Sequence, residues 1–233
     1  MNYLIIGGTS GIGLELVNTL LAQNHTVYVV ARSNRNLPDS ENLVFIEGDV
    51  TQPNFALPGL PTELHGLAYC PGSINLRPFN RLSDDDFLTE YTVNVLGAIR
   101  TIRLAVSALK AANGASVVLF STVAAQTGMP FHASIASAKA AVEGLARSLA
   151  AEYAGANIRF NCIAPSLTDT PLAEKLLNTP EKKEASAKRH PLNKVGTASD
   201  SAQAAAYLLS PNSGWVTAQT LGVDGGLAKL RLL

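Results

Sequence analysis

The sequence predicts an α/β fold, with one doubly wound parallel sheet of about seven strands and helices on both of its faces. Short apolar runs alternate with helical patterns along the whole chain, and most of these runs are apolar at every position. Such continuous runs are typical of parallel strands that are covered on both faces. The length of 233 residues suits one large domain better than two small ones, so we expect a single domain over residues 1–233.

Seven runs are predicted to be strands and four stretches to be helices. The strands are residues 3–6, 26–31, 43–48, 66–70, 116–121, 158–164 and 219–223. The helices are residues 11–23, 84–111, 133–153 and 198–209. Capping-box spacing in Ser83/Asp86 and in Thr197/Asp200 marks where two of these helices begin. In a sheet of this kind ligands bind at the carboxyl ends of the strands.

The composition narrows the classes of partner. Charged residues make up only 15% of the chain and hydrophobic ones 47%, which predicts extensive burial, in part against further subunits. The formal net charge is zero and no basic run is present, so nucleic acid and membrane are not expected partners. Cys70 and Cys162 lie in apolar runs and are predicted to be buried, reduced thiols. No metal-ligand spacing and no signal peptide is visible, and a cytoplasmic location is expected.

A glycine-rich stretch, "GGTSGIG" at residues 7–13, follows the first predicted strand and opens the first helix. Glycines permit a tight turn and let backbone N–H groups approach a pyrophosphate at the positive end of the helix. The alternative is an ordinary glycine-rich turn, but its position between a strand and a helix favours dinucleotide binding.

The end of the second strand indicates which dinucleotide binds. An NAD site usually has an acidic residue here, whereas this chain has Ala31 followed by Arg32. The planar guanidinium of Arg32 suits a 2′-phosphate, with Ser33 or Arg35 assisting. We therefore expect NADP (NADPH) in preference to NAD. The alternative is a solvated surface arginine.

Further motifs follow in a fixed order along the chain: "GDV" (48–50), "YCPG" (69–72), "VNVLGA" (93–98), "FSTVAAQTGMP" (120–130), "ASAKAAVEGLARSLAAEYA" (136–154), "NCIAPSLTDTPL" (161–172), "HPLNKVG" (190–196) and "WVTAQTLGVDGG" (215–226). Together with the glycine turn, this ordered set resembles the short-chain dehydrogenase/reductase superfamily over essentially the whole chain. The resemblance implies a Rossmann-type fold and an NAD(P)(H)-dependent oxidoreductase that acts on a small carbonyl, alcohol or enoyl substrate. Residues 171–196, which are charged and interrupted by prolines, would form an insertion on the substrate side.

The resemblance also implies site residues. Asn94, Thr122 and Lys139 match catalytic positions: Thr122 would polarise the substrate carbonyl, Lys139 would hold the nicotinamide ribose, and Asn94 would maintain a water path to Lys139. The implied cofactor-binding residues are Gly7, Thr9, Ser10, Gly11, Ile12, Gly13, Arg32, Ser33, Asp49, Val50, Gly72, Asn94, Lys139, Pro165, Thr168 and Thr170. The chain departs from the pattern at "YCPG", where only Gly72 is retained, and at Ser166, which replaces the usual glycine.

One departure affects catalysis directly. The superfamily places a Tyr acid/base four residues before its Lys, and this chain has Ile135 there. Isoleucine can neither give nor accept a proton. His132 lies one turn earlier on the same helical stripe, where enoyl reductases of the superfamily carry their Tyr, and imidazole titrates near neutrality. The alternatives are that His132 only packs or caps at the helix start, that Ser134 assists although it should point away from Lys139, or that water held by Lys139 is the acid.

These observations leave more than one functional hypothesis. The first is an oxidoreductase that works without the usual Tyr, and the second is a catalytically weak or inactive dinucleotide-binding protein, acting as a sensor or assembly partner. A purely structural subunit is a third. Helices 84–111 and 133–153 carry small and apolar residues on more than one face, which predicts a homodimer or homotetramer.

Overall fold

The computed structural model describes residues 1–231, so residues 232 and 233 of the predicted domain lie outside the described residues. Its strands are β1 (Asn2–Ile6), β2 (Thr26–Ala31), β3 (Leu43–Glu47), β4 (Gly66–Tyr69), β5 (Ala115–Phe120), β6 (Ile158–Pro165), β7 (Thr168–Asp169), β8 (Gly196–Thr197) and β9 (Thr220–Val223). Seven of them form one parallel sheet in the order β3-β2-β1-β4-β5-β6-β9, and β7 pairs with β8 alone. This confirms the predicted doubly wound parallel sheet.

The helices are α1 (Gly11–Ala22), α2 (Asp84–Tyr91), α3 (Gly97–Ala111), α4 (Ala133–Tyr153), α5 (Glu174–Leu177), α6 (Pro180–Ala187) and α7 (Ala198–Leu209). Both predicted capping boxes are present: the Ser83 hydroxyl accepts from the Asp86 N–H, and the Thr197 hydroxyl accepts from the Asp200 N–H. In each box the aspartate carboxylate accepts the backbone N–H of the cap residue in return. Backbone N–H groups at both helix starts, which have no partner within the helix, therefore bond to these side chains.

The predicted helix over residues 84–111 is not a uniform α-helix. A π-helical turn, Thr92–Leu96, separates α2 from α3, and the Gly97 N–H bonds to the carbonyl of Thr92 five residues back. Such a turn inserts one extra residue and redirects the side chains around it, and it occurs frequently at functional sites. Asn94 lies within this turn and is buried.

Alternate residues of the strands serve two cores, one on each face of the sheet. In β1, Leu4 and Ile6 join the core on the α3 and α4 side, whereas Tyr3 and Ile5 join the core with α1 and α7. This is the period-two alternation of a strand that is covered on both faces.

The stretch Asp84–Ala111 is long and apolar enough to cross a membrane by length and composition alone, but 44% of its most apolar window is buried inside the fold.

Residues 171–196, which no periodicity predicted, contain α5 and α6 and end where β8 begins. The Thr179 hydroxyl accepts from the Lys182 N–H and caps α6, which begins at Pro180. At the other end of α6, His190 Nδ1 lies 2.8 Å from the carbonyl oxygen of Ser186 and Nε2 lies 2.7 Å from the Ser166 hydroxyl. Because a carbonyl only accepts, Nδ1 carries the proton and Nε2 accepts from Ser166. The His190–Ser166 hydrogen bond thus holds residues 171–196 against the end of β6.

Candidate active site

A cleft of about 480 Å³ opens at the carboxyl ends of the strands. Most of the predicted cofactor-binding residues line it, namely Gly7, Thr9, Ser10, Gly11, Ile12, Gly13, Arg32, Ser33, Asp49, Val50, Gly72 and Thr170. These residues are far apart in sequence, and the parallel sheet brings them to one edge. Two predicted cofactor-binding residues, Pro165 at the end of β6 and the buried Thr168, do not line the wall of the cleft.

The glycine turn is shaped for close approach of a ligand. Gly7 and Gly11 have φ angles of +74° and +52°, in the left-handed region that favours glycine. A Cβ on Gly13 would lie 2.3 Å from the carbonyl oxygen of Gly7, which no side chain can satisfy. The first turn of α1 contains no acidic residue, and Gly11, Ile12 and Gly13 of that turn line the cleft, so the positive end of the helix is open to an anion. This cradle fits the pyrophosphate of a dinucleotide.

The other end of the cleft is formed by the residues after β2 and β3. Arg32 and Ser33 are exposed on its wall, while Arg35 is not part of the wall. The Asp49 carboxylate accepts from the Thr51 hydroxyl at 2.7 Å and from the Thr51 N–H at 2.9 Å. These hydrogen bonds, and to a smaller extent the charge of Arg32, hold the pKa of Asp49 below its usual range. Asp49 is therefore an ionised acceptor with a fixed orientation.

Lys139 lies in the interior beside the cleft. It is 7% exposed, and its Nζ donates a hydrogen bond of 2.7 Å to the carbonyl oxygen of Phe120. Burial lowers the pKa of Lys139 to about 8, while the negative charge of Glu90 acts in the opposite direction. A Cβ on Gly72 would lie 3.6 Å from Lys139 Nζ and 3.6 Å from Asn94 Oδ1. The lysine and the asparagine thus converge on the cleft wall at Gly72.

Asn94 is held by its amide nitrogen. Nδ2 donates to the Glu90 carbonyl oxygen at 2.8 Å and to Glu90 Oε2 at 3.0 Å. Its Oδ1 is buried and has no hydrogen-bond partner within residues 1–231. A buried acceptor without a partner costs about 1–3 kcal/mol, so Asn94 presents an acceptor that a bound water or ligand hydroxyl would satisfy.

Thr122 follows β5 and begins a short 3₁₀ turn, Val123–Ala125. Its hydroxyl oxygen accepts from the Ala124 N–H at 3.3 Å, which leaves its proton free to be donated elsewhere. The preceding residue, Ser121, donates to the buried carboxylate of Glu143 at 2.7 Å. That bond fastens the end of β5 to α4 and fixes Thr122 relative to Lys139, which α4 also carries.

The start of α4 carries Ile135 and, close to it, the two candidate proton donors His132 and Ser134. Ile135 is 6% exposed and lies one turn before Lys139. His132 precedes α4, and its Nδ1 lies 2.7 Å from the carbonyl oxygen of Pro130, so the ring is fastened to the preceding turn and it is not on the wall of the cleft. Ser134 is 1% exposed, and its hydroxyl lacks a partner among the described residues.

Comparison with known proteins agrees with this geometry. A family model described as Enoyl-(Acyl carrier protein) reductase matches residues 7–228. A tropinone reductase homolog of Arabidopsis thaliana is 30% identical over 242 aligned positions, which cover 97% of this chain and 92% of that protein. The chain belongs to the short-chain dehydrogenase/reductase superfamily. It is therefore an oxidoreductase of a class that uses a nicotinamide dinucleotide.

Two further matches place the chain within the superfamily. The 3-oxoacyl-[acyl-carrier-protein] reductase FabG of Thermotoga maritima is 36% identical over 148 residues, covering 63% of this chain and 59% of that protein. The crystal structure of a short chain dehydrogenase family protein from Francisella tularensis superposes with a TM-score of 0.88 at 26% identity, covering 98% of this chain and 99% of that one. The superfamily fold thus extends over essentially the whole chain.

Two polar residues of the site were not singled out in the sequence. Glu90, in α2, is 2% exposed, and Ser73 follows Gly72 on the cleft wall. The Ser73 hydroxyl donates to Glu90 Oε2. Spacing offered one signal, because Glu90 lies four residues before Asn94 and so on the same side of the helix. The only sequence signal that could have identified Ser73 as a site residue is its position next to Gly72.

Proposed function

We propose that this member of the superfamily is an NADP(H)-dependent oxidoreductase for a small carbonyl, alcohol or enoyl substrate. The observation that carries the proposal is the continuity of the cleft, which runs from the glycine turn to Gly72, where Lys139 and Asn94 converge. A dinucleotide that is anchored at the glycine turn would place its reactive end near those two side chains.

The residues of the cleft suit each part of such a cofactor. The glycine turn and the start of α1 would hold the pyrophosphate, Asp49 and Val50 the adenine, and Lys139 and Thr170 the nicotinamide side. When bound, NADP(H) supplies or accepts the hydride. The chain's own residues must then orient the substrate, polarise its oxygen and move one proton.

NADP(H) is proposed over NAD(H) because of the residues after β2. Arg32 and Ser33 are exposed on the cleft wall, where a guanidinium and a hydroxyl suit a 2′-phosphate. Ala31 offers no carboxylate to the ribose hydroxyls that NAD would present there. Asp49 is the acidic residue on this part of the wall, and its carboxylate is already engaged by Thr51.

The proposed site is atypical because Ile135 stands where the superfamily has its Tyr. Thr122 retains a hydroxyl that can donate to a substrate oxygen, and Lys139 retains its buried ammonium group. The names of two relatives, a 3-oxoacyl reductase and a tropinone reductase homolog, support carbonyl reduction. The buried Ile135 favours a second candidate, a dinucleotide-binding protein with little turnover.

Nucleotide titration and a substrate panel together separate these two functions. NADPH at a hundredfold excess over its dissociation constant stabilises a binding protein by about 2.7 kcal/mol, which raises the melting temperature by roughly 5–10 °C for a chain of this size. The panel contains ethyl acetoacetate, cyclohexanone and crotonyl-CoA, with NADPH oxidation as the signal. Stabilisation with turnover supports the oxidoreductase. Stabilisation without turnover of any of the three supports the binding protein, and no stabilisation rejects both.

We also propose a homodimer or homotetramer. Leu88 is 62% exposed, Tyr91 is 44% exposed and Leu104 is 44% exposed, and all three lie on α2 and α3. Light scattering after gel filtration should give a mass of two or four chains. The variant Leu104→Glu should lower that mass, whereas Glu152→Gln on the exposed side of α4 should not.

A further inference from the structure

Glu90 is a buried carboxylate for which the proposed chemistry has no role so far. It is 2% exposed, and burying a charged carboxylate is costly unless neighbouring groups compensate. Its Oε2 accepts from the Asn94 amide at 3.0 Å and from the Ser73 hydroxyl. Both donors are neutral, and the cation that interacts with it is Lys139 on α4. An ionisable group is thus maintained in the interior beside the cleft.

Ser73 connects this carboxylate to the cleft. It lies on the cleft wall directly after Gly72, and its Oγ is also 3.4 Å from Asn94 Nδ2. A hydroxyl can donate one hydrogen bond while it accepts another. Ser73 can therefore contact Glu90 on one side and a substrate oxygen in the cleft on the other.

We propose that Glu90 holds the proton of the reaction and exchanges it with the substrate oxygen through the Ser73 hydroxyl. This inference rests on the proposed oxidoreductase function. It makes Ser73 a catalytic residue, since it would contact the substrate, and Glu90 a residue that acts through Ser73.

The proton transfers balance in both directions. In reduction, Glu90 starts protonated and donates to Ser73 Oγ, so the hydrogen bond between them runs opposite to the one in which Ser73 donates to the carboxylate. The Ser73 O–H bond breaks as its proton moves to the substrate oxygen, and Ser73 Oγ takes the proton of the Glu90 carboxyl group. The Glu90 carboxylate regains a proton from water by the same route after the product leaves the cleft. In oxidation, the alcohol proton moves to Ser73 as Ser73 donates its own to Glu90. The two electrons travel with the hydride that is exchanged with the nicotinamide dinucleotide.

The three residues at the start of α4 fit this role less well. Ile135 has no proton to give, and His132 is fastened to Pro130 and is not part of the cleft wall. Ser134 is buried, and within residues 1–231 it has no partner from which it could recover a proton. Ser73 differs from all three because it is on the wall and is hydrogen-bonded to a carboxylate.

Activity measurements test the route with matched variants. Glu90→Gln keeps the size and the hydrogen-bonding capacity of the side chain but cannot carry the proton. We expect kcat for NADPH-dependent reduction of ethyl acetoacetate to fall about 100-fold, with KM and NADPH affinity unchanged. In Ser73→Ala kcat should fall by the same factor. In the double variant it should fall no further, because both substitutions interrupt the same proton route. Glu90→Asp should recover part of kcat. Asp85→Asn removes an exposed carboxylate from the same helix and should leave kcat unchanged.

Infrared difference spectra of wild type against Glu90→Gln provide a second readout that is independent of turnover. Wild type should show the carbonyl stretch of a buried carboxylic acid, and Glu90→Gln should lack it. Ser73→Ala should keep the band but exchange its proton for deuterium more slowly. If Glu90→Gln does not fold, Ser73→Ala and Glu90→Asp decide the outcome.

The results that would overturn the inference differ from those that overturn the function. Wild-type kcat in either Glu90→Gln or Ser73→Ala, in an enzyme that is otherwise active, overturns the proton route and leaves the oxidoreductase function intact. The same holds if the band of wild type persists in Glu90→Gln. A wild type that binds NADPH but turns over none of the panel rejects the oxidoreductase function, and the proton route with it.

Discussion

Lys139 Nζ donates a hydrogen bond of 2.7 Å to the carbonyl oxygen of Phe120, and this bond joins α4 to the end of the central strand β5. Phe120 is the last residue of β5, and the two residues after it are Ser121 and Thr122. The same bond therefore fixes the position of the lysine ammonium group and of the turn that carries the candidate hydroxyl. Because this lysine is buried, its charge also affects the stability of the fold.

Lys139→Met is expected to change how stability depends on pH. The pKa of Lys139 is about 8 in the folded protein and about 10.4 in the unfolded chain. Between these values the unfolded state binds more protons, so the free energy of unfolding of wild type rises with pH from about 8 to 10.4, by up to about 3 kcal/mol. Below pH 8 both states are protonated and the cost of the buried charge is fully present. The variant lacks this dependence.

Urea denaturation at pH 7 and at pH 10 measures the difference. The stability of Lys139→Met relative to wild type should be greatest at pH 7 and should decline by pH 10. Lys175→Met, which removes an exposed lysine in α5, serves as the control and should follow wild type at both values. If the free energies of unfolding of wild type and Lys139→Met changed equally between pH 7 and pH 10, burial would not be lowering the pKa of Lys139.

Thr122→Val removes a hydroxyl at nearly constant volume. The Thr122 oxygen caps the turn at Val123–Ala125, so the variant should lose about 1 kcal/mol of stability. If Thr122 also polarises the substrate oxygen, kcat should fall about 100-fold. Thr122→Ser keeps the hydroxyl and should restore both properties. A loss of stability with unchanged kcat would limit Thr122 to the capping role.

Much of the fold could be predicted because local signals agreed with one another. Helix α4 runs over Ala133–Tyr153 as predicted, since the stretch contains no proline and its many alanines outweigh the single glycine, Gly144. The capping pairs at Ser83 and Thr197 gave two further helix starts directly. The seven strands of the main sheet agree with prediction to within one residue at each end, because central parallel strands are apolar at every position.

Features that depend on tertiary geometry could not be predicted. The π-helical turn at Thr92–Leu96 keeps the apolar pattern of an α-helix, so periodicity does not reveal it. Cys70, which we expected to be buried, is partly exposed, because it follows the last residue of β4 at the edge where the cleft opens. The contact between Ser73 and Glu90 joins a loop to a helix 17 residues later, and only the folded chain brings them together.

Ile135→Tyr tests how far the scaffold is prepared for a phenolic acid. Ile135 lies one turn before Lys139 and is 6% exposed, so a larger ring should cost about 1–3 kcal/mol of stability through overpacking. A phenol beside a buried ammonium group is a suitable general acid, and we expect kcat to rise about 100-fold. Ile135→Phe adds the ring without its hydroxyl and serves as the matched control. Equal kcat values in the two variants would mean that the ring does not reach the substrate.

Arg32→Ala is expected to lower affinity for NADPH without affecting NADH. Arg32 is exposed on the cleft wall, where its guanidinium would pair with the 2′-phosphate that only NADPH carries. A charge-assisted hydrogen bond contributes about 1.5–3 kcal/mol, so the dissociation constant for NADPH should rise about 10- to 100-fold. Calorimetric titration of both nucleotides measures this. Arg35→Ala, three residues further on and away from the wall, is the control and should leave both affinities unchanged. If NADPH and NADH bind equally well to wild type, Arg32 does not select the cofactor and the preference for NADP(H) is wrong.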